Sequence, residues 1–316
     1  MGRFLYTDHA EDNLTDFRCP RCAGDLDRES PEGFFCPSDR LTFERRGGIW
    51  RFLTPETTAR IAVFVRDYET IRAAEGRAAA EPDWYRLLPQ TDRTDPAAAM
   101  WRMRAAAYRT FEKKVLKALP ARRLHIADLG SGSGWLANRL SRRGHDVDAV
   151  DLLDNDWDGL GAHRHYDVVY RPVQASFDEL PYRPALFDLI VFNAAFHYSV
   201  GYEITLEHVL RFLKPGGVLS IIDTPVYHDP ESGHRMVAER ERAFTERHGF
   251  PSNALPLENF LTYDRLERIA SKLGLSVRLH RPQYPLRRRL SPLLARLRGR
   301  REPASFPVIV LSGGAG

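Results

Sequence analysis

The sequence predicts an α/β fold in which a parallel sheet carries its binding site at the carboxyl ends of its strands. An apolar strand around Leu124 and Ile126 runs directly into residues 128–135, a loop with glycine at alternate positions. One strand length downstream, residues 145–152 read as a second strand, which ends in Asp151. Because these two strand ends face the same crevice, the pattern is typical of sheets that bind a nucleotide.

The glycine loop indicates that a ligand approaches the backbone closely. Glycine lacks a Cβ, so the turn adopts positive φ and the next helix presents free N–H groups to a bound molecule. The dinucleotide fingerprint needs its third glycine one position later, where this chain has Trp135, and no Lys-Ser or Lys-Thr pair completes a P-loop. Asp151 is suited to accept hydrogen bonds from both ribose hydroxyls. The alternative is a plain glycine turn beside a solvated carboxylate.

Three further segments follow in the order that is typical of a known protein family. Residues 173–182 follow a third strand, residues 187–198 contain a fourth strand and its end, and residues 213–222 contain the next turn and strand. Together with the glycine loop they resemble the class I S-adenosylmethionine-dependent methyltransferases, most closely the small-molecule, type 11-like branch. The resemblance implies a Rossmann-like, seven-stranded sheet flanked by helices within residues 121–316, and S-adenosyl-L-methionine as the cofactor.

The resemblance also implies the residues that bind the cofactor. The glycine loop supplies Asp128, Gly130, Ser131, Gly132 and Gly134, of which Asp128 and the Gly130 and Gly132 backbone would hold the methionine amine and carboxylate. The other cofactor-binding residues are Asp151 for the ribose, Leu152 for the adenine, Ser176 and Phe177 at the border of the base, and Asn193 on the methionine side.

Methyl transfer is an in-line displacement, so the protein must align the acceptor, exclude water and accept a proton when the acceptor is an O–H or N–H group. His197 and Tyr198 follow the fourth strand, where the resemblance places the acceptor, and they are the catalytic candidates. An imidazole there serves either as a base or as a wall of the pocket. The Tyr198 hydroxyl is either a hydrogen-bond donor to the acceptor or part of the same wall.

The first 54 residues resemble the short zinc ribbons found before some methyltransferases. Cys19 and Cys22 form a cysteine knuckle, Cys36 begins a second one, and Asp39 occupies the place of a fourth cysteine. A closed structural zinc site has four ligands, and a carboxylate can be one of them. The sequence therefore predicts zinc bound by these four residues. A ribbon without metal, held by apolar packing, and a reactive redox thiol are the alternatives.

Residues 55–120 predict a helical cap, with apolar residues at helical spacing and prolines that break the middle of the segment. Its candidates for a lid over the crevice are Tyr68, Trp84, Tyr85 and Arg102. Residues 155–166 predict an irregular loop that forms either a lid over the cofactor or part of acceptor recognition. Residues 225–258 read as an insertion that contains a helix.

Residues 281–301 contain eight arginines and no acidic residue, interleaved with leucines, and predict a basic helix over about residues 284–301. Such a helix either connects the last two strands in solvent, or contacts a membrane, an RNA or an acidic substrate. The net charge of +4 and the pI near 9.0 are modest for 316 residues, so a global nucleic-acid surface is not favoured. No apolar run is long enough for a membrane span.

The leading prediction is a soluble, cytoplasmic methyltransferase that acts on an O, N or C atom of a small-molecule or lipid-like acceptor. One alternative is an RNA methyltransferase that uses the zinc ribbon and the basic helix for binding. The other is a non-catalytic binding or scaffold protein on the same fold. The sequence names neither the acceptor atom nor an oligomeric state.

Overall fold

The structure, a computed structural model, describes residues 14–76, 81–92, 94–249, 255–284 and 300–313. Its strands are β1 (Asp27–Ser30), β2 (Gly33–Cys36), β3 (Leu41–Arg46), β4 (Ile49–Arg51), β5 (His125–Leu129), β6 (Asp146–Asp151), β7 (Arg171–Gln174), β8 (Phe187–Asn193), β9 (Leu213–Ile222), β10 (Val226–Tyr227), β11 (Leu261–Thr262), β12 (Leu275–His280) and β13 (Val308–Gly313). Its helices are α1 (Pro55–Ala74), α2 (Pro82–Leu87), α3 (Ala98–Lys114), α4 (Trp135–Ser141), α5 (Tyr202–Leu210), α6 (Pro230–His248) and α7 (Tyr263–Lys272).

The predicted α/β class and the seven-stranded, Rossmann-like sheet are confirmed. Seven strands lie in the order β7-β6-β5-β8-β9-β13-β12. The first five are parallel, and β13 runs antiparallel between β9 and β12. Because the order reverses on either side of β5, the carboxyl ends of β5, β6 and β8 frame one crevice. The glycine loop and Asp151 both lie at this edge.

The ribbon strands continue this sheet rather than standing apart from it. β4 pairs with β7 in parallel, with Trp50 opposite Val173 and Arg51 opposite Gln174, so that an eleven-stranded sheet results. The apolar face of the ribbon packs against the core of the protein, where Phe17 lies 5.6 Å, ring centroid to centroid, from Tyr182 in the segment between β7 and β8. The ribbon is therefore packed directly against the strand that leads to the adenine side of the crevice.

The described residues of the cap form three α-helices, and proline marks the start of two of them, as expected for a residue without an N–H. Thr54 caps α1, where its side chain accepts a hydrogen bond from the Thr57 N–H. α1 runs from the ribbon toward the crevice, and α3 packs on the sheet through Trp101 and Phe111. The cap thus borders the cofactor crevice along α1 and the sheet face along α3.

The insertion contains α6, which begins after Asp229 and ends at Gly249 in the left-handed conformation. The predicted basic helix falls largely on residues 285–299, which lie outside the described residues. Across the described segments, no helix combines the length and the apolar character needed to cross a membrane.

Candidate active site

The glycine loop joins β5 to α4 with three left-handed residues, Gly130, Gly132 and Gly134, at φ of +71°, +54° and +75°. A Cβ on Gly130 would lie 2.3 Å from the Ala195 Cβ, and one on Gly134 would lie 2.1 Å from the Tyr170 hydroxyl oxygen. These two glycines are therefore required by close packing, whereas a Cβ on Gly132 would meet only the Asp158 carbonyl, at 3.5 Å. Gly132 is thus the least crowded of the three glycines.

Asp128 is fully buried at the end of β5, and in the described part of the chain neither of its carboxylate oxygens has a hydrogen-bond partner. Burial raises the pKa of Asp128 to about 8, and the charge of Asp151 adds to this rise. The Ala137 N–H opposes the rise without reaching hydrogen-bond geometry. A buried carboxylate without a partner is costly, so this site fits a cationic group such as the amine of a bound amino acid.

We expect Asp128→Asn to stabilise the ligand-free protein at alkaline pH. The raised pKa means that the ionised carboxylate destabilises the fold increasingly as pH rises from about 4, its unfolded value, to about 8. Removing the charge should therefore raise the free energy of unfolding by about 1–3 kcal/mol at pH 8.5. Thermal unfolding at pH 5 and pH 8.5 measures this gain.

The matched control is Asp148→Asn, which changes a carboxylate on β6 three positions before Asp151. The Asp148 carboxylate accepts a 2.7 Å hydrogen bond from Arg171, which holds its pKa below the usual range, so this substitution should destabilise the protein at both pH values. An equal loss of stability for Asp128→Asn at pH 5 and pH 8.5 would contradict the role given to Asp128.

Asp151 binds the glycine loop from the end of β6. Its carboxylate accepts hydrogen bonds from the Gly132 N–H at 2.7 Å and from the Leu153 N–H at 2.9 Å. Enclosure raises the pKa of Asp151 to about 6, and these two N–H groups limit the rise. A carboxylate has about four acceptor positions, so two remain for the hydroxyls of a ribose.

The residues predicted to meet the adenine line the same edge. The Leu152 carbonyl accepts a 3.0 Å hydrogen bond from the Gln174 side chain. The Ser176 Oγ accepts from the Asp178 N–H at 3.2 Å, and the Phe177 ring packs edge-on against Phe192, 5.5 Å away. Asn193 ends β8 on the opposite side of the glycine loop, beside β9. The structure thus places the predicted cofactor residues at the carboxyl ends of β5, β6, β7 and β8, along one edge of the sheet.

The irregular loop of residues 155–166 closes over the glycine loop and is clamped by α1. The Tyr166 hydroxyl donates to the Ser133 carbonyl at 2.9 Å. Arg72 of α1 forms an ion pair through two nitrogens with both Asp158 carboxylate oxygens, and Asn155 donates to Glu69 at 2.8 Å. The side-chain contacts therefore fit a structured lid, the first of the two roles predicted for this loop.

Only part of the predicted lid set reaches the crevice. Tyr68 lies beside Tyr198, with ring centroids 5.9 Å apart, and burial raises its pKa well above the usual value. Tyr85 instead supports the loop from outside, donating to the Trp157 carbonyl, and Trp84 donates to Asp95. Arg102 is exposed on the outer side of α3 and borders a different groove. Helical spacing shows which residues share a face, and the direction of that face depends on tertiary packing.

His197 and Tyr198 lie in a short helical turn after β8. Burial lowers the pKa of His197 to about 3, and the charges of Arg240 and Arg104 lower it further. Its Nδ1 is buried without a partner in the described part of the molecule. An imidazole with so low a pKa is a weak base, so these surroundings favour the pocket-wall role over the base role.

Sequence reasoning missed four residues next to His197. Arg104 lies 3.9 Å from Asp223, measured from Nε to Oδ2, and its guanidinium stacks 4.9 Å from the Trp101 ring centroid. Arg240 of α6 donates to the Asn259 side chain, while the Asn259 N–H donates to the His197 carbonyl at 2.9 Å. Asp223 follows a strand directly and was detectable from that position. The other three come from segments distant in sequence.

The four predicted metal ligands meet at the tip of the ribbon. Their ligand atoms all lie within 4.8 Å of one another. The Cys19 Sγ is 3.1 Å from the Asp39 Oδ2, the Cys22 and Cys36 sulfurs are 3.6 Å apart, and the Cys36 Sγ is 3.6 Å from the same Asp39 oxygen. Tetrahedral zinc with Zn–S bonds of about 2.3 Å places its sulfurs about 3.8 Å apart. The donor set and its spacing therefore fit zinc.

Comparison with known proteins agrees with this site. Residues 127–221 match the family model described as a methyltransferase domain. A malonyl-[acyl-carrier protein] O-methyltransferase of Erwinia pyrifoliae is 28% identical over 142 residues, covering 42% of this chain and 53% of the relative. A tRNA 5-carboxymethoxyuridine methyltransferase of Escherichia coli is 28% identical over 113 residues, covering 34% and 43%.

Among solved structures, the 1,6-didemethyltoxoflavin-N1-methyltransferase of Burkholderia thailandensis superposes with a TM-score of 0.48 at 15% identity, covering 92% of this chain and 99% of that one. The chain spans about half the length of the curated relatives named above. The family match lies on the strands that carry the glycine loop, Asp151 and His197, so this chain contains a class I S-adenosylmethionine-dependent methyltransferase domain. The family predicted from the motifs is confirmed.

Proposed function

We propose that this protein transfers a methyl group from S-adenosylmethionine to a small-molecule acceptor. The observation that carries the proposal is Asp128, a buried carboxylate without a hydrogen-bond partner in the described segments, at the start of a glycine loop that faces the crevice. A methionine amine satisfies this carboxylate, and Asp151 stands where a ribose would follow. In a scaffold protein that binds no cofactor, this buried carboxylate would only destabilise the fold.

The acceptor side is a cavity of about 320 Å³ between α1 and α6. Tyr198 contributes to its wall together with residues of both helices, among them Tyr68 and Phe244. This volume lies at the lower end of the range for small-molecule sites. The cavity therefore supports a small acceptor that reaches the end of β8.

The names of two relatives add two kinds of acceptor to those that should be tested. One describes a malonyl group on an acyl carrier protein, and the other a modified uridine in tRNA. Carrier-bound acids thus join free small molecules as the first class to test. RNA remains the second candidate, supported by the name of that one relative.

S-adenosylmethionine would supply the methyl group from its sulfonium centre. The residues of this chain would position the reactants: Asp128 would hold the methionine amine and Asp151 the ribose, and the turn with His197 and Tyr198 would border the acceptor. The loop of residues 155–166 and α1 would exclude water from the bound cofactor. Alignment of this kind supplies much of the rate in displacement reactions.

We further propose that Cys19, Cys22, Cys36 and Asp39 bind a structural zinc ion. The support is that the four ligand atoms all lie within 4.8 Å of one another. A set of four protein ligands leaves no open position for chemistry, which is typical of a structural site. The metal would hold the turns of the ribbon together. Elemental analysis of the purified protein tests this assignment, which predicts about one zinc per chain.

The proposed activity is tested by incubating the full chain with S-adenosylmethionine labelled in the methyl group and with three acceptor pools: small acids, acyl carrier protein loaded with short acids, and total tRNA. Label in either of the first two pools supports the proposal. Label in tRNA alone overturns the small-molecule acceptor and favours RNA. Protein that binds S-adenosylhomocysteine and labels none of the pools counts against the proposed acceptor class.

We expect His197→Asn to retain turnover at saturating acceptor, within about 5-fold of the parent chain. The reason is that a general base contributes about 100-fold or more to rate, whereas an imidazole in the pocket wall contributes mainly to binding. Initial rates over a range of acceptor concentrations separate kcat from KM. A fall in kcat beyond about 100-fold, with unchanged affinity for S-adenosylhomocysteine, would restore the base role.

A further inference from the structure

Several buried polar atoms without partners gather at the carboxyl ends of β8 and β9. They are the His197 Nδ1, the Asp223 Oδ2 and the Thr224 Oγ1, each without a hydrogen bond in the described part of the chain. Asp223 also has a left-handed φ of +55°, which costs free energy outside glycine. Buried polar groups normally have hydrogen-bond partners, so these three residues, which we call the polar recess, are suited to a polar ligand.

Two guanidinium groups border the polar recess, and their charges are balanced differently. Arg104 faces the Asp223 carboxylate. Arg240 has the neutral Asn259 side chain as its partner, and no carboxylate of the described residues forms an ion pair with it. The charges of both arginines reach His197, since both lower its pKa. The recess therefore has an excess of positive charge beside His197.

The position of Arg240 relative to His197 is fixed by Asn259. This asparagine is buried and has a left-handed φ of +65°. Its N–H donates to the His197 carbonyl at 2.9 Å, and its Nδ2 donates to the Leu257 carbonyl at 2.7 Å. Its side-chain oxygen is thereby aimed at Arg240. A strained residue that fixes a guanidinium in this way is consistent with a functional site.

The cavity next to the polar recess supplies an apolar surface. Aromatic rings from three segments line it: Phe64 and Tyr68 of α1, Tyr198, and Phe244 of α6. Arg240 and Asn259 line the same cavity. Of the other charged groups there, Arg72 is matched by Asp158 and Glu75, and Arg247 adds a second guanidinium on the α6 wall. The cavity thus offers aromatic walls with a guanidinium at the end near His197.

We propose that the acceptor is a carboxylic acid with an apolar or aromatic body, that Arg240 binds its carboxylate, and that the product is a methyl ester. This inference rests on the proposed function and names the substrate class of the same site. A lone pair of a carboxylate oxygen forms the new O–C bond to the methyl group. The C–S bond breaks, and its electron pair stays on sulfur, which becomes a neutral thioether.

No proton has to leave in this reaction, because the attacking oxygen carries none. The site therefore needs no general base, which agrees with the weakly basic surroundings of His197. An amine or alcohol acceptor would release a proton into a recess bordered by two guanidinium groups. The positive charge opposes the formation of a further cation there.

Binding of matched ligands tests the proposal. Titration calorimetry on the full chain, saturated with S-adenosylhomocysteine, would use 3-phenylpropanoate, its amide and 3-phenylpropan-1-ol as probes. We expect the acid to bind at least about 10-fold more tightly than the amide or the alcohol, since a hydrogen bond between two charged groups is roughly twice as strong as one between neutral groups. Equal affinities for the three probes, or no binding of the acid, would overturn the proposal.

Two substitutions of Arg240 and one control test whether this residue binds the carboxylate of the acid. Arg240→Gln should remove most of the preference for the acid, and Arg240→Lys should restore part of it. Arg242→Gln, an exposed arginine two positions further along α6, is the matched control and should leave the preference unchanged. A full preference in Arg240→Gln would show that another group binds the carboxylate. Affinity for S-adenosylhomocysteine should stay within about 3-fold in all three variants.

The chemistry of the product gives an independent readout. Methyl esters release methanol in alkali, so label transferred to an accepted acid should become volatile after mild alkaline treatment. Label that survives this treatment lies on nitrogen, carbon or an ether oxygen and would overturn the ester. Failure of the proposed function looks different, because the protein would then bind no S-adenosylhomocysteine, or would label tRNA alone or none of the three acceptor pools.

Discussion

Asp151→Ala should weaken binding of S-adenosylhomocysteine by at least about 100-fold. The carboxylate accepts from the Gly132 and Leu153 N–H groups, and it stands where the ribose hydroxyls are expected. Each hydrogen bond to a charged group contributes about 1.5–3 kcal/mol, so two ribose contacts alone account for a loss of this size. The glycine loop also loses the acceptor that fixes it. Titration calorimetry on the variant gives the dissociation constant directly.

Two comparison variants make this result specific. Asp151→Asn keeps one acceptor oxygen and should lie between the parent chain and the alanine variant. Asp146→Ala removes a carboxylate at the other end of β6, where it pairs with Arg123 at the surface, and should leave the affinity unchanged. Unchanged affinity in Asp151→Ala, in protein that keeps its far-ultraviolet circular dichroism, would remove Asp151 from the cofactor site.

Loss of the proposed zinc should destabilise the protein and weaken cofactor binding together. Binding energy at a structural metal site is largely folding energy, so Cys36→Ser should lower the free energy of unfolding by at least about 3 kcal/mol. The ribbon is coupled to the crevice through β4. Arg51 donates to the Gln174 side chain at 2.9 Å and pairs with Asp154, and Gln174 in turn donates to the Leu152 carbonyl at 3.0 Å. We expect about a 10-fold rise in the dissociation constant for S-adenosylhomocysteine.

The ribbon offers controls for both parts of this expectation. Asp39→Cys completes a four-cysteine set and should retain zinc, whereas Asp39→Asn should bind it less tightly. Asp25→Asn changes an exposed ribbon carboxylate outside the cluster and should alter neither property. Arg51→Ala should keep zinc and still raise the dissociation constant. A metal-free protein with unchanged stability and unchanged affinity would contradict the structural role.

The glycine loop, Asp151 and the succession of strands along the chain were predictable because each depends on local sequence. Alternate glycines after an apolar strand require positive φ, and the structure places all three in the left-handed region. The knuckle spacing similarly predicted the four residues that meet in the ribbon. Motifs of this kind depend on residues that are close together in the sequence, so they can be recognised there.

The pairing of β4 with β7 and the recess around His197 depend instead on long-range packing. Arg51 reaches Gln174 across more than a hundred positions, and Arg104, Asp223 and Arg240 converge from three separate segments. No periodicity identifies which polar residue of a helix will be buried beside a strand end. The low pKa of His197 follows from that burial, so the sequence left both the base and the wall roles open.

Asp128, the glycine loop and Asp151 are expected to bind S-adenosylmethionine. Titration calorimetry of the full chain with S-adenosylhomocysteine measures this binding. We expect one site per chain with a dissociation constant in the micromolar range. The absence of detectable binding, in protein shown to be folded by circular dichroism and cooperative thermal unfolding, would contradict it and favour a scaffold role.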